Sequence, residues 1–262
     1  CKTRPWGQGP TFLQQLALLK EFDLDSLDEN SPEFVHLVVE ATKLAFADRE
    51  AFYGDTNFND VPMDILLGEE YNAKRRNLIS KEASMEVRPG VIPGFGGKVL
   101  VRPKGGTPES FSKFDIGEPT VARFDEPNPS SLGDTKGDTT HFDIIDKWGN
   151  MIAGTPSGGW LQSSPIIPNL GFCLSNRGQM FWLDENSPAC IGPKRRPRTT
   201  LSPSLALKDG LPYMVFGTPG GDQQDQWSLH LFLRHVHFGL NLQEAIDAPG
   251  FSTAHFPNSF YP

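Results

Sequence analysis

The sequence is poor in cysteine and in long apolar runs, and each shortage excludes a class of protein. Only three of its 262 residues are cysteines, and the spacing of Cys1, Cys173 and Cys190 is not that of zinc ligands. An odd number does not support a disulfide framework, and the sequence leaves open whether Cys173 and Cys190 pair. No apolar stretch approaches the roughly 18 residues that a membrane-spanning helix needs, so no span is predicted in this chain.

Basic residues are also in short supply, with 24 Lys and Arg against 32 Asp and Glu and a formal net charge of -8. A nucleic-acid-binding surface needs clustered Lys and Arg to neutralise phosphates, so nucleic acid is not an expected partner. The one dense basic run, PKRRPR at residues 193–198, is short and interrupted by prolines. We interpret it as a solvated or locally paired loop; a site for an anionic substrate group is the alternative.

The first part of the chain is predicted to be helical. Apolar side chains recur in residues 11–22, and in residues 31–52 their spacing indicates a helix with one face in the core. Ser31 followed by Pro32 is typical of a helix start, because the serine hydroxyl caps a free backbone N–H and proline suits the first helical position. This second helix is interpreted as scaffold, and its His36 as a surface or packed residue.

A segment rich in proline and glycine separates this part from the rest. Residues 89–138 contain seven prolines and nine glycines, a density that supports neither a continuous helix nor a central strand. A structureless segment of this length is uncommon inside a compact domain unless it is functional or disordered. We therefore predict a flexible tail at 89–138, which divides the chain into residues 1–138 and 139–262.

After the tail the pattern becomes β and then α. Residues 139–146 alternate as a strand, KWGN supplies a turn, and residues 151–155 continue as a second strand. SLALKDGLPYMVFG predicts a hairpin that turns at Asp209 and Gly210, and a helix broken near Gly239 follows. Strands and helices without βαβ alternation favour an α+β layered fold.

Thr139 and Thr140 stand at the start of the predicted strand, directly after the tail. Such a pair is ordinary in a strand, since β-branched side chains suit a pleated surface. A threonine at a chain terminus, however, can use its own α-amino group as the base that activates its hydroxyl. That amine has a pKa of about 7.7–8.0 and is partly neutral near pH 7. The accessible bond between Asp138 and Thr139 is placed for the cleavage that would expose it.

Three separated motifs carry a resemblance to a known family. TTHFDIIDKWGN, KRRPRTTLSPSLALKDG and FGTPGGDQQDQW followed by GLNLQEAIDAP resemble, in this order, the small subunit of the γ-glutamyltransferase family of N-terminal nucleophile hydrolases. The helix EATKLAFADREAFYGD is similar to the later part of that family's large subunit. Residues 1–138 therefore resemble the C-terminal part of the large-subunit region, and residues 139–262 the small-subunit region.

The resemblance implies an α+β fold of the αββα four-layer sandwich type and self-cleavage between Asp138 and Thr139. The Thr139 hydroxyl would attack the Asp138 carbonyl, and hydrolysis of the resulting ester would free the amine. Thr139 would then cleave an amide through an acyl-threonine intermediate and pass the acyl group to water or an amine acceptor. The expected partners are a small γ-glutamyl or acyl amide, an amine or peptide acceptor, and the two fragments as subunits of a heterodimer. No cofactor and no metal are implied.

The resemblance also assigns further site residues. It places the oxyanion hole at Gly220 and Gly221, where the missing Cβ atoms let backbone N–H groups approach a ligand. Ser157 corresponds to a hydroxyl that bonds the nucleophile and its amine. Thr199 and Thr200 correspond to a hydroxyl pair that helps to hold a substrate carboxylate. A tight strand-to-helix turn and ordinary loop hydroxyls are the purely structural alternatives.

The chain departs from the family pattern in the γ-glutamyl pocket. Gly159 stands where the family has an asparagine, and Gln179 and Met180 stand where it has the aspartate that holds the substrate ammonium group. Asp184 would reach that position only in a different register. A buried cation without a carboxylate partner loses several kcal/mol, so weak or no γ-glutamyl turnover is expected. Three nearby aromatic residues favour a larger, more apolar acyl pocket, with core packing as the alternative: Trp160, Phe181 and Trp182.

Several other interpretations are weighed against this one. An acylase-type amidohydrolase without γ-glutamyl activity and a degenerate member that only binds are the alternatives within the family. Cys1 as a terminal nucleophile is disfavoured, because the residues after it are not strand-like. A metal site of His230, His235 and His237 is disfavoured, because spacings of five and two do not share one helix face. Compared with the family, the chain is expected to be truncated at both ends.

The compartment is not fixed by the sequence. The opening residues, CKTRPWGQGP, do not have the pattern of a signal peptide. The family resemblance implies a periplasmic or extracellular location, and a cytoplasmic one is left open.

Overall fold

A computed structural model describes residues 1–95, 139–158 and 165–259. Asp138, Gly159, Trp160 and the predicted tail beyond residue 95 lie outside the described residues. The helices and strands of the described residues follow in chain order: α1 (Gly9–Leu19), α2 (Pro32–Phe52), α3 (Met63–Leu66), α4 (Glu69–Arg76), β1 (Phe142–Ile145), β2 (Met151–Gly154), β3 (Ser204–Lys208), β4 (Leu211–Phe216), α5 (Gln224–Val236) and α6 (Leu242–Asp247), with short 3-10 helices at Leu24–Ser26 and Arg177–Met180.

Helix α2 confirms the predicted start and exceeds the predicted burial. Ser31 caps it, because its hydroxyl accepts the Phe34 N–H at 3.2 Å, and Pro32 occupies the first helical position. The sequence predicted one buried face, yet every residue from Glu40 to Phe52 is buried. Charged side chains of this helix are buried in ion pairs, which a hydrophobic pattern does not reveal.

Both predicted hairpins are present. Strands β1 and β2 pair antiparallel, with Phe142 opposite Gly154. Strands β3 and β4 pair antiparallel around the predicted turn, where Asp209 and Gly210 both have positive φ values of 53° and 79°. Two positive values in succession belong to a type I′ turn, whose twist matches that of the flanking strands.

The core lies between the helices and the second hairpin. The first helices, α5 and β4 supply its buried side chains, among which Phe12 contacts both Phe216 and Phe232. A smaller cluster around Tyr53 includes Ile92, within the segment predicted as a tail, and the Gly90 N–H bonds to Asp48 at 2.7 Å. The α+β class is confirmed, whereas the four-layer arrangement stays a prediction.

The C-terminal helices meet at the predicted break. Gly239 has a φ of 69° between α5 and α6. Asn241 then caps α6 in a capping box with Glu244, in which each side chain bonds the other residue's backbone N–H. None of the helices in the described ranges is long and apolar enough to cross a membrane.

Candidate active site

The antiparallel register of β1 and β2 continues beyond the strand ends and brings Thr139 opposite Ser157. The Thr140 N–H donates to the Pro156 carbonyl at 3.2 Å, one step further along the same ladder. The Thr139 and Ser157 hydroxyl oxygens then lie 2.6 Å apart, which is hydrogen-bond distance. The structure therefore brings together the two hydroxyls that the resemblance paired.

The next residues on the same face form a second side-chain bridge. Side chains alternate along a strand, so His141 and Asp143 share a face with Thr139. The His141 Nδ1 lies 2.8 Å from the Thr155 hydroxyl, and its Nε2 lies 2.8 Å from a carboxylate oxygen of Asp143. Sequence reasoning missed His141 and Thr155. The period of two from Thr139 was the signal that could have found them.

A glycine loop (residues 217–221) follows β4 and lies against this face. A Cβ atom on Gly217 would stand 2.3 Å from Cε1 of His141, so the backbone of the loop rests directly on the imidazole. Gly220 has a φ of 132°, a conformation that side chains rarely adopt, and Gly221 is buried. Glycine is therefore required at position 217 because a Cβ atom does not fit, and at position 220 because of the backbone conformation.

One side chain at the start of α5 links the glycine loop to Ser202, two residues after Thr200. Gln224 donates from its side-chain amide to the Gly220 carbonyl and accepts the Ser202 N–H at 3.1 Å. Thr200 is buried, and its hydroxyl makes no hydrogen bond within the part of the chain that the structure describes. Thr199 differs, because its hydroxyl accepts the Leu201 N–H at 3.2 Å.

A buried charge network connects α2 with two loops, the glycine loop and the loop that carries Thr199 and Thr200. Arg49 of α2 pairs with Glu50 at 2.6 Å and with Asp222, the residue after the glycine loop. Arg198, directly before Thr199, bonds the same Glu50 oxygen at 2.7 Å. Burial opposes ionisation of Asp222, but Arg49 and Arg198 outweigh it and hold the pKa of this carboxyl below its usual value. The sequence pattern did not predict this network.

The basic run is engaged in local pairing. Arg196 bonds Asp55 through its side chain and its backbone N–H, and its guanidinium stacks 3.6 Å from the ring centroid of Trp6. Arg198 is buried in the network described above. The interpretation of PKRRPR as a locally paired loop is therefore confirmed for these arginines.

The predicted γ-glutamyl pocket is described only in part, since Gly159 and Trp160 lie outside the described ranges. Gln179 sits exposed in the 3-10 helix Arg177–Met180, while Met180 is buried. The carboxylate of Asp184 is exposed and accepts from the backbone and side chain of Asn186, in its own loop. Neither Gln179 nor Asp184 thus supplies a buried carboxylate in the described residues of this region. Phe181 and Trp182 are partly buried.

The two disfavoured sites receive no support from the geometry. The amino group of Cys1 donates to the Leu205 carbonyl, alongside β3. The three histidines have separate environments: His230 is buried against Phe251, His235 bonds Tyr213, and His237 bonds Asp25. The three cysteines, all within the described residues, are free thiols, which answers the question of pairing between Cys173 and Cys190.

Comparison with known proteins places this arrangement in a family. A sequence model described as Gamma-glutamyltranspeptidase matches residues 1–261. The Glutathione hydrolase proenzyme of Bacillus subtilis subsp. natto is 29% identical over 249 residues, which is 94% of this chain and 39% of that protein. The chain therefore spans about two fifths of the length of this curated relative.

Two solved structures are similar in fold as well as sequence. The structure of LmbA2991HD is 50% identical with a TM-score of 0.78, covering 100% of this chain and 42% of that one. The cephalosporin acylase from Bacillus halodurans is 25% identical with a TM-score of 0.67, covering 95% of this chain and 38% of that one. The fold is shared with a class of proteins that includes glutathione hydrolase proenzymes and a cephalosporin acylase. Within that class, the chain belongs to the gamma-glutamyltranspeptidase family.

The buried network predicts a large loss of stability when its central cation is removed. We expect Arg49→Met to lower the free energy of unfolding by about 3–5 kcal/mol, because Glu50 and Asp222 would stay buried with one cation fewer. Equilibrium denaturation measures this loss. Lys74→Met is the control, since it removes an exposed ion pair with Glu70 and should barely move the midpoint. Similar midpoints for both variants would contradict the assignment.

Proposed function

We propose that this chain carries the nucleophile half of a self-processing threonine amidohydrolase or acyltransferase of the γ-glutamyltransferase type. Cleavage between Asp138 and Thr139 divides it into a region ending at residue 138 and a region beginning at 139. The two remain together as a heterodimer within an αββα sandwich. The observation that carries the proposal is the 2.6 Å contact between the hydroxyls of Thr139 and Ser157.

The contact supports Thr139 as the nucleophile for a chemical reason. A threonine hydroxyl attacks a carbonyl only when its proton is taken up and its oxygen is aimed. Ser157 is held by strand register on the same face as Thr139, so its hydroxyl orients the nucleophile oxygen. After cleavage the free amine of Thr139 serves as the base, because its pKa lies near neutral pH.

The glycine loop supports the second requirement of acyl transfer. Attack on a carbonyl creates a tetrahedral oxyanion, which needs backbone N–H donors that are already in position. The glycine pair is held in place, because the Gln224 side chain bonds the Gly220 carbonyl and Asp222, directly after Gly221, pairs with Arg49. We assign the oxyanion hole to these two glycines.

The proposed reaction has two stages with the same nucleophile. In processing, the Thr139 hydroxyl attacks the Asp138 carbonyl, the peptide nitrogen leaves as the new amine, and water hydrolyses the ester. In turnover, the same hydroxyl attacks a substrate amide, and the amine of the substrate leaves with a proton from the Thr139 amino group. The acyl-threonine ester then passes its acyl group to water or to an amine acceptor.

The acyl group favoured by this chain is not γ-glutamyl. In the described part of the pocket region, Gln179 is exposed and Asp184 is bonded to its own loop. Neither residue therefore provides a buried carboxylate that could pair with a substrate ammonium group. An acylase-type amidohydrolase is therefore the second candidate function, and the likeness to the cephalosporin acylase favours it.

Self-cleavage is the direct test of the nucleophile. The full-length chain that carries this sequence should yield a new fragment beginning Thr-Thr-His-Phe, and Thr139→Ala should stay uncleaved because it removes the attacking oxygen. Thr140→Ala is a matched control, since this side chain is exposed and lies on the opposite face. Mass spectrometry and N-terminal sequencing read the outcome. Cleavage of Thr139→Ala, or none in the wild type, would refute the proposal.

Acyl preference separates the two candidate functions. Release of a chromogenic amine should be at least about tenfold faster from aliphatic acyl amides than from the γ-glutamyl amide. The ammonium group of the γ-glutamyl substrate would lose its hydrating water on binding without gaining a carboxylate partner. Rates are measured with and without a dipeptide acceptor to distinguish transfer from hydrolysis. Faster turnover of the γ-glutamyl amide would contradict this preference while leaving the nucleophile intact.

A further inference from the structure

His141 lies at the junction between the strand that carries Thr139 and the glycine loop. Its side chain is only 8% exposed, although the neighbouring strand residues are exposed. The ring is held at both nitrogens, by the Thr155 hydroxyl and by the Asp143 carboxylate. A carboxylate only accepts hydrogen bonds, so Nε2 carries a hydrogen and donates it to Asp143.

The ring is in direct contact with the backbone of the loop. A Cβ atom built on Gly217 would lie 2.3 Å from Cε1, 2.7 Å from Nε2 and 2.8 Å from Nδ1 of His141. All three distances are shorter than Cβ contacts in real proteins. The loop backbone therefore packs so closely against the imidazole that a Cβ atom does not fit at position 217.

The placement of the ring relates it to both catalytic elements. Thr139 and His141 share one face of the strand two residues apart, which corresponds to about 7 Å along it. Gly220 and Gly221 follow Gly217 by three and four residues. Because Gly217 packs against the ring on this face, a displacement of the ring would also displace the loop that carries Gly220 and Gly221.

The geometry points to His141 as a positioning residue that acts as a spacer between the nucleophile strand and the glycine loop. This inference rests on the proposed function, because it concerns the distance between the nucleophile and its oxyanion donors. His141 is not the base of the reaction, since both of its ring nitrogens are already bonded to Thr155 and Asp143. It acts on the reaction through the position of the loop.

The test is a double-mutant comparison of the self-cleavage rate constant, which requires no knowledge of the substrate. In the full-length chain, Gly217→Ala should slow cleavage about a hundredfold, because the new Cβ displaces the loop from the ring. His141→Ala should slow it at least about tenfold, because the loop loses its support. Adding Gly217→Ala to His141→Ala should change the rate less than about twofold, because the overlap no longer exists.

The control is a second glycine, at which an added Cβ atom would contact no other atom. A Cβ on Gly250 would meet nothing within 4 Å, so Gly250→Ala should cleave at the wild-type rate. Thermal unfolding of every variant gives the folded fraction at the assay temperature, and rate constants refer to that fraction. If His141→Ala does not fold, His141→Asn, which is smaller than the imidazole, replaces it in the same comparison.

The outcomes distinguish this inference from the function on which it rests. The spacer role is overturned if Gly217→Ala slows cleavage by the same factor with and without His141. It is also overturned if loss of His141 lowers only the thermal midpoint and leaves the cleavage rate of the folded fraction unchanged. A wild-type chain that fails to cleave would instead remove the proposed function, and the role of His141 with it.

Discussion

The antiparallel register between residues 139–145 and 151–157 is the constraint on which the site depends. It places Thr139 opposite Ser157 and His141 opposite Thr155 on one face of the hairpin. A slip of one residue in either strand would turn that strand's two side chains to the other face and separate both pairs. Thr139, its hydrogen-bond partner Ser157 and the bridge between His141 and Thr155 are therefore positioned together by one ladder of backbone hydrogen bonds.

The second constraint joins the two regions of the chain. Arg49 and Glu50 belong to α2 in the first region, while Asp222 and Arg198 belong to the second. Arg49 and Glu50 pair with each other, but Asp222 and Arg198 each take their ion-pair partner from the first region, so without it the second region would leave both charges without that partner. These ion pairs between the two regions give a physical reason for the two fragments to remain associated after the proposed cleavage of the bond between them.

Much of the fold could be predicted from the sequence because its signals are local. Ser31 with Pro32 marks the start of α2, and Asp209 with Gly210 marks the turn of the second hairpin. Thr139 as nucleophile was inferred from its place at the head of a strand and from the family resemblance, and this assignment stays a prediction. Burial of Glu40 through Phe52 was underestimated, since the pattern counted apolar residues and could not foresee which charges would pair.

The supporting residues of the site could not be predicted in the same way. The contact of His141 with Gly217 and that of Arg49 with Asp222 join residues that are far apart in sequence. Such contacts depend on how the elements pack, which neither periodicity nor a motif encodes. The resemblance named Gln179 as a pocket residue, and this assignment stays a prediction; the structure shows its side chain exposed.

In the proposed mechanism, the hydroxyl of Thr139 carries the acyl group during turnover. Acid quenching of the processed protein during turnover of an acyl amide, followed by peptide mapping, locates that group. We expect the N-terminal peptide beginning Thr-Thr-His-Phe to show a mass increase equal to the acyl group. Treatment with hydroxylamine should remove this added mass. Turnover with the acyl group on another residue, such as Ser157 or Cys1, would contradict it.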